Sequence, residues 1–213
     1  MNCTLTKKIY KIKTLVMHKY EDKDKNMTML QEMTEKSHAI KLDLCYATNK
    51  NITSRPIYQH ARCYAHPKAV CALEHAVELA DSIKMKFKIF DAFRPIEAQK
   101  ILWDAVPNPE FVSPPETGKI PHCRGIAFDL TLMDAHDQEL DMGTTFDAFT
   151  PESHHGCINI TVEAQKNRLT LLGIMRLAGF DHHPKEWWHY QLPHYQQYNP
   201  LDDQVAKTFL MQS

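Results

Sequence analysis

Apolar and polar positions alternate over residues 39–47, with Ile40, Leu42 and Leu44 set against Lys41 and Asp43, and this predicts a strand. The same period of two predicts a second strand over Lys86–Ala92, where Phe87 and Ile89 alternate with Lys86 and Lys88. Ile126–Leu132 and Trp187–Leu192 are the third and fourth; a regular fourth strand sends its two tryptophans to opposite faces. Elsewhere the period becomes helical. Over Pro67–Lys84, residues Val70, Leu73, Val77 and Ala80 fall on one stripe, and Pro67 suits the first turn. Pro95–Trp103 is a second helix. Thr161–Ala178 is a third, with Leu171, Ile174 and Leu177 on one stripe, Glu163 in the first turn and Gly179 as the stop signal. Asn49–Arg55, Pro107–Pro121, Met133–Gln138 and Asp181–Lys185 are predicted as loops or turns, and Leu201, Val205, Phe209 and Leu210 predict a short helix in the tail. The pattern predicts an α+β domain, with a central, mainly antiparallel sheet flanked by helices.

Composition narrows the functional classes. A chain of 213 residues fits one domain with a substantial core, or one domain plus an extension. Residues 1–38 are polar and charged, notably Glu21 to Lys25, and are read as an N-terminal extension ahead of a domain over residues 39–213. The formal net charge of −1 calls for neither a nucleic acid nor an anionic membrane partner. No run of about 18 apolar residues predicts a membrane span. Lysines interrupt the apolar residues near the N-terminus, and Cys3 lacks the apolar run of a lipoprotein signal. No secretory signal is predicted, and the cytoplasm is the expected location. The six cysteines show no CxxC spacing and read as free thiols.

The candidate chemistry lies in two stretches. His122 and Asp129 offer a nitrogen and an oxygen donor seven residues apart, a spacing that no single flat strand brings to one face. Gly125 supplies the break that lets the chain turn before the strand begins. Asp129 then sits among apolar neighbours, where a carboxylate needs a partner, and a cation is the obvious one. Near the end, Glu186-Trp187-Trp188-His189 adds another imidazole and a carboxylate. Three protein ligands with a fourth position open to water is the arrangement of a catalytic zinc; His122, Asp129 and His189 are the expected ligands and Glu186 the expected base. Cys123 is set aside because neighbours in an extended segment point apart, and His154 and His155 read as structural or solvated. Arg94, held at a strand-to-helix junction by Pro95, either forks onto a carboxylate or oxyanion or pairs with Asp91.

These residues resemble a family. Asp43–Thr48, Phe90–Pro95, His122–Leu132, Met142–Asp147, Ser153–His155 and Glu186–Tyr190 follow, in order, the motifs of the D-alanyl-D-alanine dipeptidases of the VanX type, zinc peptidases that cleave free D-Ala-D-Ala. The resemblance runs from about residue 40 to residue 192. It implies one zinc ion per subunit, a small dipeptide substrate, proton transfer by Glu186 and oxyanion stabilisation by Arg94. It also implies Tyr46 at the substrate pocket and Asp147 as the acceptor of the substrate's free amino group. An aspartate ligand is harder than cysteine and suits manganese, iron or cobalt as well. The chain departs from the pattern at Ile120, where the family has a serine thought to help hold the dipeptide. That leaves open a zinc D,D-carboxypeptidase or murein peptidase acting on longer cell-wall peptides. A non-catalytic zinc-binding domain is a further alternative, although it needs neither Glu186 nor Arg94.

Overall fold

The structure, a computed structural model, describes residues 29–116 and 118–212. Expectations for Cys3, the run Glu21 to Lys25 and the rest of residues 1–28 lie outside it. The elements in order are β1 (Gln31–Met33), α1 (Glu35–His38), β2 (Ile40–Leu42), β3 (Cys63–Ala65), α2 (Pro67–Ser82), β4 (Lys86–Asp91) and α3 (Ile96–Ala105). They continue with β5 (Ala127–Met133), α4 (Val162–Leu177), β6 (Asp181–His183), β7 (Glu186–Gln191) and α5 (Asp203–Ala206). A five-stranded sheet in the order β2-β4-β5-β7-β6 forms the centre, and β1 and β3 make a separate ribbon. Only β2 and β4 pair in parallel within the sheet; its other pairs are antiparallel. Among the described residues no helix is long and apolar enough to cross a membrane.

The central strand sets the layout. All seven residues of β5 are buried, as expected of a strand with covered faces. Phe87 and Ile89 of β4 and Phe128, Leu130 and Leu132 of β5 share a core with Leu73 of α2 and Leu171 and Met175 of α4. Both long helices begin on the signals the sequence carries. Pro67 is the first residue of α2 behind an N-cap at His66, and the Thr161 hydroxyl caps α4 by accepting from the Ala164 N–H.

Three expectations are corrected. The strand predicted over residues 39–47 ends at Leu42, and Cys45–Ala47 form a 3₁₀ turn that holds Tyr46. Leu44 and Cys45 both pack into the core, although the ladder has already stopped. Asp181–Lys185 is not simply a turn: Asp181–His183 form the edge strand β6, whose register comes from pairing with β7 rather than from an apolar period. Leu177 is 72% exposed. Steps of three residues drift around a helix, so Leu177 lies about 120° from Leu171, and Ala178, seven residues on from Leu171, is buried instead.

Two irregularities in the sheet shape the site it carries. Ile89 pairs with Leu130 and Asp91 with Asp129, so Phe90 is an extra residue in β4, a bulge that sets Asp91 directly opposite Asp129. On the other side, His182 pairs with Tyr190 but His183 pairs with Glu186. The β7 chain is therefore irregular across its tryptophans. Both are buried, their rings lie 5.4 Å apart, and the Trp187 indole N–H donates to Thr144 Oγ1 at 2.8 Å.

Gly125 ends the short 3₁₀ turn His122–Arg124 with φ 66°, and a Cβ there falls 2.7 Å from Leu30 Cδ2 and 3.1 Å from His66 N. Gly125→Ala is expected to cost about 1–3 kcal/mol of stability. Gly173→Ala, in α4 with open space around it, is expected to gain up to about 1 kcal/mol. Denaturant unfolding of both variants beside the parent checks the pair; equal stability of all three contradicts the backbone argument.

Candidate metal centre and active site

His122 enters the site from the 3₁₀ turn, Asp129 from the middle of β5 and His189 from β7. Asp129 and His189 are cross-strand partners, so they share a face. His122 reaches them because the turn at Gly125 redirects the chain. The three residues are only 4%, 3% and 6% exposed. His122 Nε2 lies 3.2 Å from Asp129 Oδ2, His189 Nδ1 lies 3.0 Å from Asp129 Oδ1, and the two nitrogens are 3.1 Å apart. Among the described residues this is the one cluster of three or more such side chains able to hold a metal ion.

The outer nitrogens decide what the inner ones offer. His122 Nδ1 donates to the Ala92 carbonyl at 2.7 Å, and His189 Nε2 donates to Gln191 Oε1 at 3.2 Å. Each ring thus spends its N–H outward and turns a lone pair inward, one through Nε2 and the other through Nδ1. Two lone pairs and a carboxylate facing one another repel unless a cation lies among them. The trio therefore fits a divalent metal with mixed nitrogen and oxygen ligands.

Arg94 stands beside the trio and is held from three sides. Its Nε donates to Asp91 Oδ2 at 2.9 Å, Nη1 to Gln99 Oε1 at 2.9 Å, and Nη2 reaches Asp129 Oδ2 at 3.4 Å. Asp91 also accepts from the Tyr58 hydroxyl at 2.8 Å, and Gln99 donates to the Ser113 carbonyl at 2.8 Å. Arg94 does pair with Asp91, but it is buried rather than at the surface, and it lines the cavity. The junction is locked in both directions, because the Arg94 N–H donates to the His122 carbonyl at 3.2 Å while the His122 ring donates to Ala92.

A cavity of about 400 Å³ opens over the trio, and Tyr46, Arg94, Asp147 and Glu186 line it with the three candidate ligands. The seven residues singled out from the sequence therefore meet in one place. The Tyr46 hydroxyl donates to Asp147 Oδ2 at 3.0 Å, and the Arg94 guanidinium lies 4.8 Å from the centre of the Tyr46 ring. Burial, then the charge of Asp129, pushes both Asp147 and Glu186 up to about 8. Asp147 has φ 57°, an uncommon backbone conformation at a cavity wall. Glu186 Oε2 lies 3.9 Å from His189 Nδ1. In a regular strand, residues three apart face opposite ways, and the irregularity of β7 brings both to the site.

Ile120 lines the same cavity, is 4% exposed and has φ 37°. Cys123 is fully buried outside the trio, and none of the five described cysteines forms a disulfide. His155 packs its ring against His182 and Tyr190 rather than joining the metal cluster. Sequence reasoning missed the supports: Tyr58, Gln99 and Gln191 carry no local signal. It also missed His183, which lines the cavity from β6, because that segment reads as a turn.

Comparison with known proteins agrees with this geometry. The sequence profile of the peptidase M15 family, described as D-Ala-D-Ala dipeptidase, matches residues 25–210. A D-alanyl-D-alanine dipeptidase of Escherichia coli is 42% identical over 167 residues, covering 78% of this chain and 86% of the relative. One from Enterococcus faecium is 31% identical over 185 residues, covering 78% and 90%. One from Streptomyces coelicolor is 31% identical over 173 residues, covering 72% and 86%. With the match spanning the sheet and the whole cavity, the chain belongs to the M15 peptidases, in the D-Ala-D-Ala dipeptidase family.

Proposed function

We propose that this peptidase is a zinc enzyme that hydrolyses the free dipeptide D-Ala-D-Ala in the cytoplasm. The observation that carries it is the convergence of Glu186, Arg94 and Asp147 on the inward-facing donors of His122, Asp129 and His189. A zinc ion held by these donors supplies a Lewis acid and brings the pKa of a bound water to roughly 7.

The remaining roles fall to the chain's own side chains. Glu186 takes the proton of the attacking water and delivers it to the leaving amine; its burial makes its carboxylate a stronger base than one in solvent. Arg94, fixed by Asp91 and Gln99, keeps N–H groups aimed at the site where negative charge develops on the scissile carbonyl oxygen. Asp147 receives the substrate's ammonium group, with Tyr46 holding one carboxylate oxygen. A buried acceptor for a free amino group favours dipeptides over the interior of longer chains. The same pair of residues, Glu186 and Arg94, supports an enzyme over a domain that only binds zinc.

Two experiments test this. Glu186→Ala should keep its zinc while turnover falls on the order of 100-fold or more, whereas His189→Ala should lose the metal. Full activity in the first variant, or unchanged zinc in the second, removes the assigned role. In the other experiment, free D-Ala-D-Ala is compared with a pentapeptide ending in the same two residues, with and without chelator. The expected result is chelator-sensitive hydrolysis of the dipeptide alone; preference for the pentapeptide favours the carboxypeptidase alternative.

A further inference from the structure

The Glu186 carboxylate accepts no hydrogen bond from the described residues, although it lines the cavity and is the proposed proton carrier. Its two oxygens face different imidazoles. Oε2 lies 3.9 Å from His189 Nδ1, on the side of the metal cluster, and Oε1 lies 3.8 Å from His183 Nδ1. That Nδ1 is itself buried and without a hydrogen-bond partner among the described residues. An unpartnered imidazole nitrogen and a carboxylate oxygen thus face each other across a gap slightly longer than a hydrogen bond. A small turn of either side chain closes it, and such contacts commonly tighten once substrate binds.

The sheet irregularity makes this juxtaposition. His183 is the last residue of β6 and is paired in register with Glu186, the first residue of β7. The Pro184-Lys185 turn joins them directly, so the hairpin sets the ring against the carboxylate. The His183 ring also lies edge-on to His189, 5.9 Å between centres, which confines it to the cavity side of the hairpin.

We propose that His183 is a positioning residue: its Nδ1–H holds Oε1 of Glu186 and so keeps Oε2 turned toward the space inside the trio. This rests on Glu186 being the proton-transfer group. A freely rotating carboxylate presents the correct oxygen only part of the time, and a hydrogen bond to the other oxygen removes that freedom. His183 touches neither the reacting atoms nor the candidate metal-ligand atoms, so its loss should act on turnover and leave binding alone.

The test is a double-mutant cycle on zinc-loaded enzyme with D-Ala-D-Ala. His183→Ala is expected to lower kcat by about 10-fold or more, as for a lost hydrogen bond to a charged group, with KM and zinc content unchanged. His183→Asn, which returns an N–H near the position of Nδ1, is expected to restore most of the loss. In the Glu186→Ala background, His183→Ala is expected to change nothing further. Additive losses in the cycle, a change confined to KM, or an asparagine variant no better than alanine each overturn the role of His183 while leaving that of Glu186 standing. Full activity of Glu186→Ala alone overturns both.

Discussion

A carboxylate in the middle of a fully buried strand is the constraint around which this molecule is arranged. Asp129 has apolar residues on both sides in sequence and is 3% exposed. Left alone in that position it would cost several kcal/mol or simply take up a proton. The fold sets the Arg94 guanidinium, from the junction after β4, beside it, and adds His122 from the turn before the strand and His189 from its neighbour β7, whose inward lone pairs complete a site for a cation. Each of these is fixed in turn by a partner outside the cluster, namely the Ala92 carbonyl, Gln191, and the pair Asp91 and Gln99. The candidate metal cluster and Arg94 therefore rest on one network, since His122 bonds to both ends of the Ala92–Arg94 segment.

Much of this was legible in the sequence because short-range chemistry announces itself. An aspartate inside an apolar run, a glycine after a histidine, and an arginine held before a proline are each visible without coordinates. Donor chemistry pointed to the meeting of His122, Asp129, His189 and Glu186, and only the family resemblance added Tyr46 and Asp147 to them. The periodicity located the four strands that carry site residues or support them, and the capping signals placed α2 and α4 within a residue or two. The edge strand β6 was lost because Asp-His-His has no apolar period; pairing alone makes it a strand. The bulge at Phe90 and the irregular stretch of β7 were equally invisible, yet they bring Asp91 opposite Asp129 and Glu186 alongside His189. Those placements depend on register, which no local pattern encodes.

The cavity is polar at its floor and uneven at its walls. Asp147 and Tyr46 give one part a buried acceptor, while Ile120 contributes an apolar surface in a backbone conformation that costs a β-branched residue about 1–3 kcal/mol. This isoleucine stands two residues ahead of His122, with φ 37°. The bond to Ala92 and the turn at Gly125 orient His122, and the Ile120 carbonyl braces the same turn by accepting from the Cys123 N–H.

The central claim is that the inward atoms of the trio hold a divalent cation. Anomalous diffraction at the zinc edge, on crystals grown with zinc, tests it most directly. The account predicts one strong peak about 2.0–2.2 Å from His122 Nε2, His189 Nδ1 and an Asp129 oxygen. An empty trio in zinc-loaded crystals, or an ion bound through His122 Nδ1 or His189 Nε2, would contradict it.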